Sequence, residues 1–481
     1  MSRQIIRKSS RLLLAFAFLL AIVQFDFTER INIVIYDQLM QLASQPANPD
    51  VIIVAIDEKS IHDLGRWPWS REYHRQLVDI LTVSGAQIIG FDLLFSEQED
   101  ADSDASFANA ISRSNRALFA VAPEPSQNTG LTEATLPVTE IAIAAKGFGH
   151  IDFIADIDGV CRKTHLFAGH NKPGWPVLPL AMLQATDNYK PEQLTKWLER
   201  SAGSTVANAA SDWYRSHPVL IPYYGPAGTF KQISYVDVID ERIATDQLKH
   251  KLILVGATAV GVGDNCATPY SHTGQNMSGV EINANLLSGM IDDQLLFTPS
   301  ESVKLAVILS LGICFALLME MLPVSKTLWF SASAFAMTIL VSFLGFQFGR
   351  IWLPPAELMI YLLGCLVYWQ LKFASIFLKK AGHLENRLFE QRRIDQITQL
   401  PNRTNIIEKM NQEISVAADK SVQYALFFIR LGGFKSINDR FGREMGDKAL
   451  ASMAGIISSV FDDAKEIARV GGAEFAVFLQ Y

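Results

Sequence analysis

Two aspartates stand where open α/β proteins keep their ligands. Asp57 follows the apolar run 51–56 and Asp92 follows 87–91. Ligands of open α/β sheets gather beyond the carboxyl ends of the strands, so both are candidates for a pocket. A third run, 252–255, leads into Gly256, Gly261, Gly263 and Asp264. Backbone amides of such a loop can cradle an anion, although this spacing matches no phosphate-binding fingerprint. The block Leu64-Gly65-Arg66-Trp67-Pro68-Trp69-Ser70-Arg71 puts two tryptophans around a proline ahead of a capping serine, so Arg66 and Trp67 either line a pocket or brace the sheet. A purely structural reading stays open for all of them, since aspartates cap helices and glycines shape turns.

A second constellation lies near the C-terminal end. Asp395-Gln396-Ile397-Thr398-Gln399-Leu400-Pro401-Asn402-Arg403 is followed by Phe434-Lys435-Ser436-Ile437-Asn438-Asp439, by Gly446-Asp447 and by Arg469-Val470-Gly471-Gly472-Ala473-Glu474-Phe475. This order and spacing resembles the GGDEF family of diguanylate cyclases, which join two GTP molecules into cyclic di-GMP across a dimer. The likeness covers 395–481. It implies metal-assisted phosphoryl transfer, with carboxylates holding Mg²⁺ on the triphosphate and activating the 3′-hydroxyl. Asn438 and Asp447 match the family's guanine-contacting positions.

Here the carboxylates are depleted. Arg430 stands where the family's first strand ends in a metal-binding aspartate, Gly432 where a second aspartate is common, and Ala473 at the third signature position. Glu474 alone keeps its acidic group, as the remnant metal ligand. Two unit charges about 4 Å apart interact by roughly 1 to 4 kcal/mol between water and protein-surface dielectrics, and a divalent ion doubles the repulsion from an arginine. The guanidinium can still pair with phosphate oxygens. Asp462-Asp463-Ala464-Lys465 occupies the stretch where the family carries its Arg-x-x-Asp feedback motif, so product inhibition through it is not expected. The chain stops at Tyr481, about half-way through such a domain, and a fragment or truncated reading frame is expected, with an unpaired sheet edge exposed.

The elements that must position these residues are legible in coarse outline. The runs 51–56, 87–91, 117–121 and 252–255 read as buried strands of a mostly parallel sheet. Between the first two, 73–83 reads as a crossover helix with Leu77, Ile80 and Leu81 on one face and Gly85 near its end. The motifs Ile56-Asp57-Glu58-Lys59-Ser60, Gly90-Phe91-Asp92, Val255-Gly256-Ala257-Thr258 and Gly279-Val280-Glu281-Ile282, together with the tryptophan block, resemble the second class of CHASE domains. That resemblance implies an extracytoplasmic sensor ahead of several transmembrane helices, with no ligand defined.

Composition agrees with a membrane protein. Over 481 residues the chain is 49% hydrophobic and only 19% charged, too long for one core and too apolar for an ordinary cytosolic enzyme. A net charge of −7, with no basic stripe, argues against a nucleic-acid partner. A spanning helix needs roughly 20 largely apolar residues. Three such segments crowd 303–378, and a fourth run at 12–23 reads as an anchor rather than a cleaved signal, because no small-residue cleavage site follows. Arg3, Arg7, Lys8 and Arg11 precede it, while Lys379, Lys380, Arg387, Arg392 and Arg393 follow the last apolar segment, which places both ends in the cytoplasm. Cys314 and Cys365 fall in apolar runs; Cys161 and Cys266 either form a disulfide in an exported domain or are two buried thiols.

The expected organisation is a cytoplasmic N-terminus (1–11), a transmembrane anchor (12–27), an α/β periplasmic sensor (28–300) and three transmembrane α-helices (303–322, 327–348, 356–378). A signalling helix or linker (379–394) and a partial α/β GGDEF domain with an antiparallel cyclase-like sheet (395–481) follow. The leading functional reading is an inner-membrane receptor, expected as a homodimer in the lipid bilayer. It takes an unknown extracytoplasmic ligand and has a degenerate output module that serves a downstream phosphodiesterase. The alternative is an active diguanylate cyclase, for which alone GTP and Mg²⁺ are expected as bound partners. A transporter is disfavoured because Glu320, Glu357 and Lys372 sit near the ends of the apolar segments rather than mid-membrane.

Overall fold

A computed structural model describes residues 27–125, 132–201, 206–207, 212–271, 274–391, 393–417 and 422–480. The chain divides into two compact units, Met1–Leu366 and Val367–Tyr481. The expected anchor 12–27 lies outside the described residues except for its last position.

The first unit begins with helix α1 (Phe27–Leu42) and is organised by a seven-stranded sheet. Its strands are β1 (Val51–Ile56), β2 (Ile88–Asp92), β3 (Ala117–Pro125), β4 (Thr132–Thr135), β5 (Gly147–His150), β6 (Lys231–Ser234) and β7 (Leu252–Ala257). They run in the order β6-β1-β7-β2-β3-β4 with β5 also on β3, and every pairing but β3–β4 is parallel. The sequence explains this placement. All six residues of β1 are buried, as a strand covered on both faces requires. Side chains alternate across a strand, so Ile52, Val54 and Ile56 join one core with Leu77, Val78 and Leu81 of helix α3 (Arg71–Val83), which follows the short α2 (Glu58–Leu64). Val51, Ile53 and Ala55 join the opposite core with Leu178, Met182, Val280 and Leu287. The last two belong to helix α4 (Gly279–Ile291).

A second, antiparallel sheet was not legible in the sequence. Its long strands, Cys161–His170 and Trp213–Leu220, pair directly, flanked by Phe153–Ala155, Val206–Ala207 and Trp175–Pro176. Cys161 and Cys266 are joined by a disulfide, which decides between the two readings of those cysteines. Three helices follow that are long and apolar enough to cross a membrane: α5 (Glu301–Met321), α6 (Val324–Leu344, extended by a π turn to Gly349) and α7 (Ala356–Gln391).

The second unit contains helix α8 (Arg403–Ala417), strand β8 (Tyr424–Arg430), helices α9 (Phe434–Phe441) and α10 (Arg443–Val460), and strands β9 (Glu466–Gly471) and β10 (Glu474–Gln480). The sheet is antiparallel in the order β8-β10-β9. Leu450, Ala454 and Ile457 of α10 bury against Phe475 and Val477 of β10. The turn ahead of α8 is tied down by Asp395, which accepts hydrogen bonds from the Thr398 amide and hydroxyl and pairs with Arg469 at 3.0 Å.

Candidate functional site

The central sheet separates the two aspartates that the sequence presents alike. Asp57 caps α2. Its Oδ1 accepts from the Ser60 amide at 2.9 Å and the Ser60 hydroxyl at 2.6 Å, and its Oδ2 accepts from the Ser234 hydroxyl. The carboxylate is thereby committed to fastening β1, α2 and the end of β6. Asp92 is placed differently. In register, Gly256 lies between Ala55 and Asp92, and a side chain at Gly256 would meet Val280 at 2.7 Å. That glycine lets α4 descend onto the strand ends. Asp92 consequently lies by the first turn of α4, where its Oδ2 accepts from Asn283 Nδ2 at 3.1 Å and stands 3.8 Å from where a Gly279 Cβ would be.

Burial raises the Asp92 carboxyl to about 6; the Asn283 hydrogen bond opposes the rise and the negative charge of Asp264 adds to it. Asp264 reaches this place through its backbone, whose carbonyl accepts from the Gly279 amide at 2.9 Å. Nearby, the Ser278 hydroxyl and Asn283 Oδ1 are buried without a partner among the described residues. Asp92 and Asp264 therefore converge on the start of α4, together with Asn283, which sequence reasoning missed. The Gly279-Val280-Glu281-Ile282 motif marked that helix but not the amide one turn on.

The tryptophan block braces. Trp69 is buried and donates from Nε1 to the Gly65 carbonyl at 2.8 Å. Trp67 packs edge-on against Trp69 and His74, at centroid distances of 5.2 and 5.8 Å. His74 is fully enclosed, shares a 2.9 Å hydrogen bond with the Tyr235 hydroxyl and is driven down to about 3 by desolvation, so it is neutral at physiological pH. Arg66 is exposed. Neither Arg66 nor Trp67 joins the Asp92 cluster.

Further polar and charged groups tie α1 to the rest of the first unit. Arg162, whose side chain is 3% exposed, is bonded to Asp37 through two 2.8 Å contacts and also to Asp156 and Asp158. Asn32 donates to buried Glu357 at 3.1 Å and accepts from the Ala356 amide at 2.9 Å, while Lys304 pairs with Glu357 at 3.1 Å.

In the second unit the expected metal positions lie at the ends of β8 and β10, and the expected nucleotide positions on α9 and α10. Arg430 and Glu474 are direct cross-strand partners, with Nε and Oε1 3.7 Å apart and both side chains well exposed. The Leu431 amide donates to the Ala473 carbonyl at 2.9 Å, closing the strand ends together. Gly472 and Ala473 turn the hairpin, the former at φ +48°; Gly432 is exposed. Asn438, on α9, holds its Oδ1 buried and unpartnered, 1.8 Å from where a Gly446 Cβ would stand. Asp447, next in the chain, is exposed at the start of α10. Asn438 and Asp447 are thus brought to neighbouring helix segments.

Comparison with known proteins gives two family matches: the CHASE2 domain over residues 12–318, and the diguanylate cyclase GGDEF domain over 392–481. Among curated relatives, the bifunctional diguanylate cyclase/cyclic di-GMP phosphodiesterase MucR of Pseudomonas aeruginosa is 35% identical over 86 residues, 18% of this chain and 13% of the relative. Diguanylate cyclase TpbB of the same species is 37% identical over 92 residues, 19% of this chain and 21% of the relative. The matches thus span about a fifth or less of those relatives. Among solved structures, the GGDEF domain of TpbB is 37% identical, covering 18% of this chain and 50% of that one with a TM-score of 0.17.

Proposed function

Since the chain belongs to the CHASE2 domain family and carries a GGDEF domain, we propose that it is a membrane receptor. Its sensor lies outside the cytoplasm, and its output is a cyclase-like module that regulates cyclic-di-GMP signalling without synthesising the dinucleotide. Three observations support the placement. The sensor region is closed by a disulfide, a bond that persists in oxidising compartments. Helices α5 to α7 have the length and apolarity to cross a bilayer. Helix α7 runs unbroken from Ala356 to Gln391, a continuous element through which displacement of the membrane segment can reach the residues ahead of Asp395.

The observation that carries the output reading is the register Arg430↔Glu474. A divalent cation at this hairpin needs converging anionic oxygens. Glu474 is instead matched with a guanidinium, and Arg430 and Ala473 supply no carboxylate. These residues do not fit a magnesium pair. Asn438 beside Asp447 keeps the polar edge that can read a guanine, so nucleotide occupancy without turnover is the function assigned here, for a homodimer or a partner phosphodiesterase module to use. The retained carboxylate of Glu474 is what favours the alternative, a working cyclase.

The experiment is turnover of GTP with Mg²⁺ by the full chain in lipid nanodiscs, read as cyclic di-GMP by mass spectrometry. No product is expected, and none from Arg430→Ala, which removes the repulsion but adds no ligand. Steady product formation by the unmodified chain refutes the reading.

A further inference from the structure

A cleft of about 410 Å³ opens in the first unit, walled by α1, the turn into the Cys161–His170 strand, residues 218–220 and the leading ends of α5 and α7. Its size is that of an ordinary small-molecule site, and it is separate from the Asp92 cluster. Four carboxylates and three cations line it. Each cation is already committed: Arg162 to Asp37, Asp156 and Asp158, Lys163 to Asp156 at 2.8 Å, and Lys304 to Glu357 at 3.1 Å. The surplus is therefore negative. Glu29 makes no ion pair among the described residues and is exposed on the cleft.

The inner wall is aromatic. Tyr36 and Trp352 are 2% and 7% exposed and meet edge-to-face at 5.4 Å. The Tyr36 hydroxyl is buried without a hydrogen-bond partner among the described residues, an arrangement native proteins rarely leave unanswered. An anionic ligand would find no free cation here. A cationic one finds an unpaired carboxylate, electron-rich ring faces and a hydroxyl able to accept an N–H.

We propose that this cleft binds an organic ammonium group, held by Glu29 against the Tyr36–Trp352 wall. The same chemistry is offered by the ethanolamine headgroup of a phospholipid and by a small free amine. The proposal goes beyond the receptor reading and would hold whether or not the second unit makes cyclic di-GMP.

The test uses the full chain in nanodiscs. In discs of phosphatidylglycerol alone, ethanolamine and ethylamine are titrated by calorimetry, with glycerol phosphate as the anionic control. In discs that also contain phosphatidylethanolamine, native mass spectrometry reads the lipid retained on the released protein. Saturable amine binding identifies a soluble ligand, and selective phosphatidylethanolamine retention without it identifies the lipid headgroup. Either supports the site if Glu29→Gln and Tyr36→Phe each weaken it roughly tenfold, the loss expected for one charge-assisted hydrogen bond. Glu29→Gln lies on the surface and leaves folding intact, so it decides the matter alone if Tyr36→Phe is unstable. Equal binding of glycerol phosphate, binding unmoved by Glu29→Gln, or no binding of any probe overturns the proposal.

Discussion

Arg162 and Arg430 show how differently the two units treat the same side chain. Arg162 is 3% exposed and surrounded by Asp37, Asp156 and Asp158. Arg430 is 79% exposed and meets a single carboxylate at 3.7 Å. The first has been taken out of water and is held by charge-assisted bonds on several sides, so it belongs to the architecture. The second keeps its hydration, contributes little to folding and remains free to decide what approaches the hairpin. The sensor thus spends its buried charges on fastening α1 to the second sheet, while the output module displays its charge at the surface.

Breaking the buried side of this comparison should have the largest effect. Arg162→Met leaves three aspartates facing each other, two of them largely enclosed, and removal of one partner from such a cluster costs about 3–5 kcal/mol. Chemical denaturation of the detergent-solubilised chain, followed by Trp fluorescence, is expected to show an early transition for the first unit. A variant within 1 kcal/mol of the parent, on the order of a surface substitution, would show that the cluster is merely tolerated.

In the second unit the sharpest constraint is steric rather than electrostatic. A methyl group at Gly446 would stand 1.8 Å from Asn438 Oδ1, so Gly446→Ala must displace the Asn438 side chain or separate α9 from α10. Overpacking of this kind costs about 1–3 kcal/mol. The expected result is lower thermal stability together with weakened retention of a fluorescent guanine nucleotide. Unchanged nucleotide retention would dissociate Asn438 from guanine reading.

The third test concerns Asp92, intermediate between the two arginines because it is partly buried and has a single hydrogen-bonded amide. Its folded-state value of about 6 lies above the ordinary carboxyl value. The folded protein therefore binds the proton more tightly than the unfolded chain, and stability from this group is fully present below pH of about 4 and lost as pH rises through 6. Discounting for partial exposure, the loss is about 1–2 kcal/mol. Asp92→Asn keeps the shape and abolishes that slope, so the variant should be the more stable at pH 7.5 and indistinguishable from the parent only below pH of about 4. Parallel pH profiles for the two proteins would show that burial does not raise the Asp92 carboxyl.

How far the sequence reveals these differences depends on what each residue needs from elsewhere. The run Val51-Ile52-Ile53-Val54-Ala55-Ile56 announces a buried strand by itself, since every position is apolar and all but Ala55 are β-branched. The strand Cys161–His170 does not, because Arg162 and Thr164 are polar and become buried only where Asp37 and the Asp152 carbonyl satisfy them. Asp57 and Asp92 follow the same local pattern, and their fates diverge through Ser234 in one case and Asn283 in the other. Spacing within a motif survives without tertiary knowledge. For that reason Arg430, Asn438, Asp447 and Glu474 could be placed from sequence, whereas the cleft beside Tyr36 could not: its walls come from segments more than 300 residues apart.

The smallest expected effect is that of Arg430→Ala on stability. The guanidinium lies in solvent and its ion pair is long, and exposed pairs contribute about 0–1 kcal/mol and less as salt is raised. Melting of the full chain should therefore be unchanged within error at 0.15 M salt. The same substitution frees Glu474 at a position where a carboxylate is rare in this hairpin, so weak Mg²⁺ or Mn²⁺ association, measured by paramagnetic relaxation with Mn²⁺, should increase even though no cyclic di-GMP appears. An unchanged metal response together with unchanged stability would mean that Arg430 never opposed a cation there, and the contrast with Arg162 would reduce to depth of burial alone.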